Sequence, residues 1–142
     1  KLRGLAKPYE LAFLQLKLAQ LLLETSDLKR CELTYKEAAQ AIESGPESWT
    51  AVEAYLGLAN VQELQGKLPE AQKDLRRALA LVESRIGKNN VRTAELYQRL
   101  AAVQSLQKQD KEAEQSLLTA YGICKEVNES FSPTMLTAHL MT

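Results

Sequence analysis

The chain repeats itself. Residues Tyr55, Leu58, Ala59, Leu68, Ala71, Leu75 and Ala78, displaced by 42 positions, fall on Tyr97, Leu100, Ala101, Asp110, Ala113, Leu117 and Ala120, and six of the seven are identical. A displacement of 40 the other way lands on Gln15, Leu18, Ala19, Leu28, Cys31, Tyr35 and Ala38, which keep the small, large, small rhythm in Cys31, Tyr35 and Ala38. A period of this length restricts the fold to an array of one supersecondary unit, each copy burying its apolar face only against its neighbours. Three repeats are read, at about 12–45, 52–87 and 94–129, the first the most divergent.

Within each repeat the apolar residues recur at spacings of three and four, and each repeat holds two such runs, the signature of paired helices. The spacing predicts helices over 8–25, 28–44, 47–65, 68–86, 91–108 and 111–128, with no strand. Pro8, Pro46, Pro69 and Pro133 suit a first helical turn, where a missing N–H costs nothing, and Ser132 suits a cap. Gly45, Gly66 and Gly87 suit helix ends. Alanines and Cys31 mark close helix crossings, with Leu75 or Leu117 expected to fill the space one turn on. Adding 42 to Tyr97 gives His139, so residues 132–142 read as the start of a fourth unit capping the third. The expected fold class is all-α, three antiparallel helix pairs and a partial fourth unit in a single domain.

Composition narrows the function. Eighteen basic and eighteen acidic residues leave no net charge, and both signs are spread along the chain, which argues against a nucleic-acid-binding domain. One histidine and two distant cysteines supply neither a structural zinc site nor a disulfide scaffold, so no metal and no cofactor is expected. The most apolar stretch, Leu11 to Leu23, is interrupted by Gln15, Lys17 and Gln20 and is too short to span a bilayer. Starting at Lys1, the chain reads as a piece of a longer protein, and its free-looking cysteines suggest a reducing, cytoplasmic location. Phosphate-loop, zinc-protease and nucleophile-elbow motifs are missing, and a thiolate and base pair of Cys124 with His139 is set aside because Cys124 falls on a second helix and His139 on the aromatic slot of Tyr55 and Tyr97. The expectation is a non-enzyme.

Leu58, Ala59, Gly66, Leu68, Ala71, Leu75 and Ala78 together resemble the tetratricopeptide repeat, a helix-turn-helix unit with large and small residues at these spacings. The 42-residue period, with Ile86, Gly87, Val91 and Ala94 in the linker and Ser132 and Pro133 further on, is similar to the longer variant found in kinesin light chains. The resemblance implies an α-solenoid, a right-handed superhelix whose first helices line a concave face that binds a peptide or helix of a partner protein. It implies no chaperone-tail binding, because the inner positions that would form the basic clamp hold Leu16, Gln20, Gly57, Glu95 and Arg99.

Set in that register, the lead helices offer Phe13, Leu16 and Gln20 from the first repeat, Glu53, Leu56 and Asn60 from the second, and Gln98 and Arg99 from the third. Phe13, Leu16 and Leu56 would anchor apolar ligand groups, and Asn60, Gln98 and Arg99 would set register, Arg99 being suited to a carboxylate. Gly57 admits two explanations, a ligand backbone or close helix packing. The run Lys73, Asp74, Arg76 and Arg77 reads as a solvated outer face. Two other functions stay open: a structural spacer or self-association segment working through the first helix, and a regulatory domain attached to an enzyme.

Overall fold

The computed structural model describes residues 8–42 and 48–130. Six helices account for nearly all of them: α1 (Pro8–Glu24), α2 (Leu28–Ile42), α3 (Ser48–Leu64), α4 (Leu68–Ile86), α5 (Val91–Leu106) and α6 (Asp110–Ser130). No strand occurs among the described residues. The protein is thus an all-α helical repeat. Helix boundaries lie within two residues of those that the periodicity predicts, while Gly45, Pro46, Ser132, Pro133 and His139 lie outside the described residues.

The chain divides into an N-terminal unit, 1–81, and a C-terminal unit, 82–142. In the N-terminal unit α1 packs on α2, and α3 packs on both. Small residues let the first two helices approach: Ala19 and Cys31 are fully buried, and the Cys31 thiol donates to the Ala19 carbonyl at 3.1 Å. Burial, and then the charge of Asp27, push that thiol's pKa up, which makes Cys31 a small core residue rather than a nucleophile. In the C-terminal unit α5 packs on α6 around Ala94, Ala120 and Ile123, with Tyr97 and Val127 against them.

One turn recurs three times. Ser26, Gly66 and Lys108 all adopt left-handed backbone, at φ of 64°, 78° and 64°. Each helix before them closes with the same pair of bonds, as in Gly66 N–H to the Glu63 carbonyl at 3.0 Å and Lys67 N–H to the Gln62 carbonyl at 2.8 Å. This is the Schellman closure, which satisfies carbonyls that the helix leaves open. Only the middle repeat uses glycine there, and an L-residue in this region carries a cost of roughly 1 kcal/mol. Ser26→Gly and Lys108→Gly are each expected to raise the unfolding free energy by about 1 kcal/mol, read by urea denaturation. Unchanged or lowered midpoints would show that side chains at 26 and 108 make compensating contacts.

The entry to α5 is fixed by side chains. Asn90 Oδ1 accepts from the Thr93 N–H at 2.8 Å, and Asn90 Nδ2 donates to the Gly87 carbonyl at 2.7 Å. The Thr93 hydroxyl donates to the same carbonyl at 3.2 Å. An asparagine N-cap therefore locks the linker into one path.

Candidate functional site

In the N-terminal unit, α1 has three faces. Ala12, Leu16, Ala19 and Leu22 are buried. Phe13, Lys17, Gln20 and Glu24 follow one another at helical spacing on a second, exposed face, where the Lys17 ammonium lies 5.2 Å from the Phe13 ring centroid. A third face carries Leu11, Leu14, Leu18 and Leu21, all exposed, at spacings of three, four and three. The periodicity of the sequence shows an excess of apolar residues here but does not separate these rows.

Of the residues expected to meet a partner, Phe13 is 50% exposed and Gln20, Glu53 and Asn60 are exposed, while Leu56 is half-buried. Leu16 corrects the expectation: at 2% exposure it is a core residue, because its spacing from Ala12 and Ala19 aims it inward. In the C-terminal unit Gln98 is exposed and Arg99 half-buried. Gly57 has its explanation in packing, since a Cβ built there would overlap the ring of Tyr35 on α2.

The basic run on α4 is not a uniform solvated face. Lys73 and Arg76 are exposed, but the Arg77 guanidinium lies over the Tyr55 ring, 5.7 Å from its centroid, and Asp74 is buried. Burial raises the Asp74 pKa, against the pull of a Gln62 hydrogen bond and of Arg77, Lys36 and Lys73. A polar hollow of about 240 Å³ lies there, lined by Lys36, Gln40, Gln62, Glu70, Lys73, Asp74 and Arg77. Gln62 Nε2 also donates to Glu32 Oε2 at 3.4 Å, and Lys67 Nζ to Glu32 Oε1 at 2.9 Å. The Gln62 Oε1 atom finds no donor among the described residues.

The C-terminal unit holds an open, apolar groove of about 680 Å³ between α5 and α6. Ala101, Ala102 and Ser105 form its floor on α5, and Ala113, Leu117, Leu118 and Tyr121 line it on α6. Leu117 corrects a second expectation, for it is 51% exposed instead of filling the helix crossing. Leu118 and Tyr121 were not foreseen as surface features. A signal existed for Leu118, which aligns at a distance of 42 with the exposed Arg76, whereas Tyr121 aligns with the buried Leu79 and had none.

Among the described residues no group of three histidine, cysteine or acidic side chains could hold a metal, and no helix is long and apolar enough to cross a membrane. Cys124 is exposed on α6. Comparison with protein families matches residues 50–126 to the tetratricopeptide repeat. A comparison with curated proteins found no match.

Proposed function

The chain belongs to the tetratricopeptide repeat family, whose domains serve protein–protein interaction, and on that premise we propose that it binds a peptide or helix of another protein through the exposed faces of its lead helices. The observation that carries the reading is the mixed surface of α1 and α3 in the N-terminal unit. Phe13 presents a half-exposed ring, Leu56 adds a half-buried apolar contact, and Gln20, Glu53 and Asn60 stand exposed. An aromatic anchor among polar groups is the composition from which binding energy and register come. In the C-terminal unit, Gln98 and Arg99 on α5 offer polar contacts of their own, Arg99 being suited to a carboxylate. The 42-residue period supports assigning the repeats to the longer variant similar to that of kinesin light chains, working within a cytoplasmic scaffold or adaptor.

A peptide selected from a random library on the intact chain provides the test. Leu56→Glu combined with Arg99→Glu is expected to weaken its binding at least about 30-fold, the effect of losing one anchor of about 2 kcal/mol, with the helical circular dichroism unchanged. Unaltered affinity would discard the lead-helix surface. The leucine row Leu11, Leu14, Leu18 and Leu21 favours a second reading, self-association through α1, because leucines at alternating three and four spacing form the seam of paired helices. Sedimentation across a concentration series separates the two.

A further inference from the structure

The wall of the α5–α6 groove departs from the earlier repeats at one position above all. Leu117 and Tyr121 stand where those repeats bury a side chain, Tyr35 and Ala39 in the first, Leu75 and Leu79 in the second. Leu118 does not. Its equivalents, Lys36 and Arg76, are exposed, and Lys36 is so although α3 packs on α2. A lead helix lying on a hairpin, as α3 lies on the first, therefore leaves this position in solvent, and both earlier repeats fill it with a cation. The third repeat fills it with leucine, 55% exposed, beside the 67% exposed Tyr121. Another repeat laid against α6 would account for Leu117 and Tyr121 and still leave Leu118 uncovered, so the apolar row calls for a different occupant.

The groove also carries charge of one sign. Asp110 and Glu114, one turn apart on α6, are the charged residues that line it, and both are exposed. No ion pair joins either carboxylate to a described residue. Glu32, the equivalent of Glu114 in the first repeat, has Lys36 one turn further on, and the charge of Lys36 helps to hold the Glu32 carboxylate ionised. Glu114 has Leu118 in that place, so the exchange that made the wall apolar also removed the cation beside the carboxylate. The groove thus runs from two carboxylates, at the end where α5 passes to α6, to Leu118 and Tyr121, with Glu114 and Tyr121 about 10 Å apart along the helix. We propose that this groove docks a helix of another protein that sets two apolar residues, one turn apart, over Leu118 and Tyr121, and a lysine or arginine about two turns away against Asp110 and Glu114. The apolar pair supplies contact area, and the cation fixes the direction in which the helix lies. Apart from Gln98, this surface shares no residue with the lead-helix faces proposed above, so either can fail without the other.

A library of helical peptides, displayed on phage and selected on the full 142-residue chain, tests this. Clones are expected that lose at least about tenfold in affinity for Leu118→Arg, which restores the residue of the second repeat, and keep their affinity for Leu56→Glu combined with Arg99→Glu. Leu118→Lys, the residue of the first repeat, gives the same reading if the arginine alters the helical circular dichroism. The sequences of these clones should carry Lys or Arg seven or eight positions from an apolar pair. Asp110→Asn combined with Glu114→Gln should weaken them at least about threefold at low salt, and by less at about 1 M salt, where charges are screened. A selection that yields no Leu118-dependent clone would overturn the proposal. So would Leu118-dependent clones that lack a basic residue or bind the neutralised variant as well as the original chain. A chain that sediments as a dimer and is dissociated by Leu118→Arg would overturn it too, giving the groove to a second copy.

Discussion

Exchanging Gln62 for methionine is expected to lower the unfolding free energy of the N-terminal unit by about 2 to 4 kcal/mol at neutral pH, and by progressively less as the solution is acidified. Methionine keeps the volume of this 3% exposed side chain, so cavity formation contributes little. What is lost is the amide donor shared by two carboxylates, Glu32 and Asp74. Hydrogen bonds to ionised groups are each worth about 1.5 to 3 kcal/mol, and the long 3.4 Å contact to Glu32 places the sum below the simple total.

The pH dependence follows from the two shifts. Burial alone would raise Glu32, yet the hydrogen bonds from Lys67 and Gln62 and the charges of Lys67 and Lys36 hold its pKa below the ordinary carboxylate value. Its contribution to stability is present above the unfolded pKa and is lost as pH falls through the folded one. Asp74 runs the other way: burial raises it, so the fold is favoured below its unfolded pKa and loses that advantage as pH rises through the folded value. Removing the Gln62 donor moves both folded values upward, and both changes cost stability only where the carboxylates are ionised. Urea titrations at a series of pH values measure this. A loss that stays constant with pH would place the role of Gln62 in packing alone.

The C-terminal unit supplies the uncharged counterpart of this cluster. Gln104 and Ser116 stand 42 positions after Gln62 and Asp74, and there the Ser116 hydroxyl donates to Gln104 Oε1 at 2.7 Å. Gln62 Oε1 has no such donor among the described residues, and an ionised Asp74 cannot provide one. A protonated Asp74 carboxyl could act as the Ser116 hydroxyl does. The same methionine exchange at Gln104 therefore serves as a control without the pH dependence.

Repetition made the helices legible, because spacing within a repeat is a local property and three copies reinforce one another. The small residues at the crossings, Ala19 with Cys31 among them, were legible for the same reason. Burial was less so, since it depends on which helix lies across each hairpin. Leu75 and Leu117 are identical letters in equivalent places, and only the first is covered. Leu16 misled in the opposite sense. With apolar residues on three sides of α1, counting them cannot say which row faces α2, and the decisive clue is the pair of small neighbours, Ala12 and Ala19. Asp74 was hidden by the charges around it, its one distinguishing mark being the alignment with Ser116.

Gly57 supports the second large prediction. A glycine within a helix costs about 1 kcal/mol relative to alanine, so Gly57→Ala in open space would be stabilising. Here the added methyl would overlap the Tyr35 ring, and Tyr35 is enclosed between α2 and α3 with no solvent into which to turn. Overpacking of this kind costs about 1 to 3 kcal/mol, occasionally more, and with the backbone so close the upper part of that range applies. A net loss of about 2 kcal/mol is therefore expected from Gly57→Ala by chemical denaturation. Tyr35→Leu, the residue that the other two repeats use, opens space at the same crossing and should lose stability on its own through an unfilled cavity. Combined, the two changes should lose less than their sum by at least about 1 kcal/mol, the mark of residues that share one volume. Additive losses would mean that the ring escapes the methyl along another path and that the closeness of α2 and α3 does not depend on glycine.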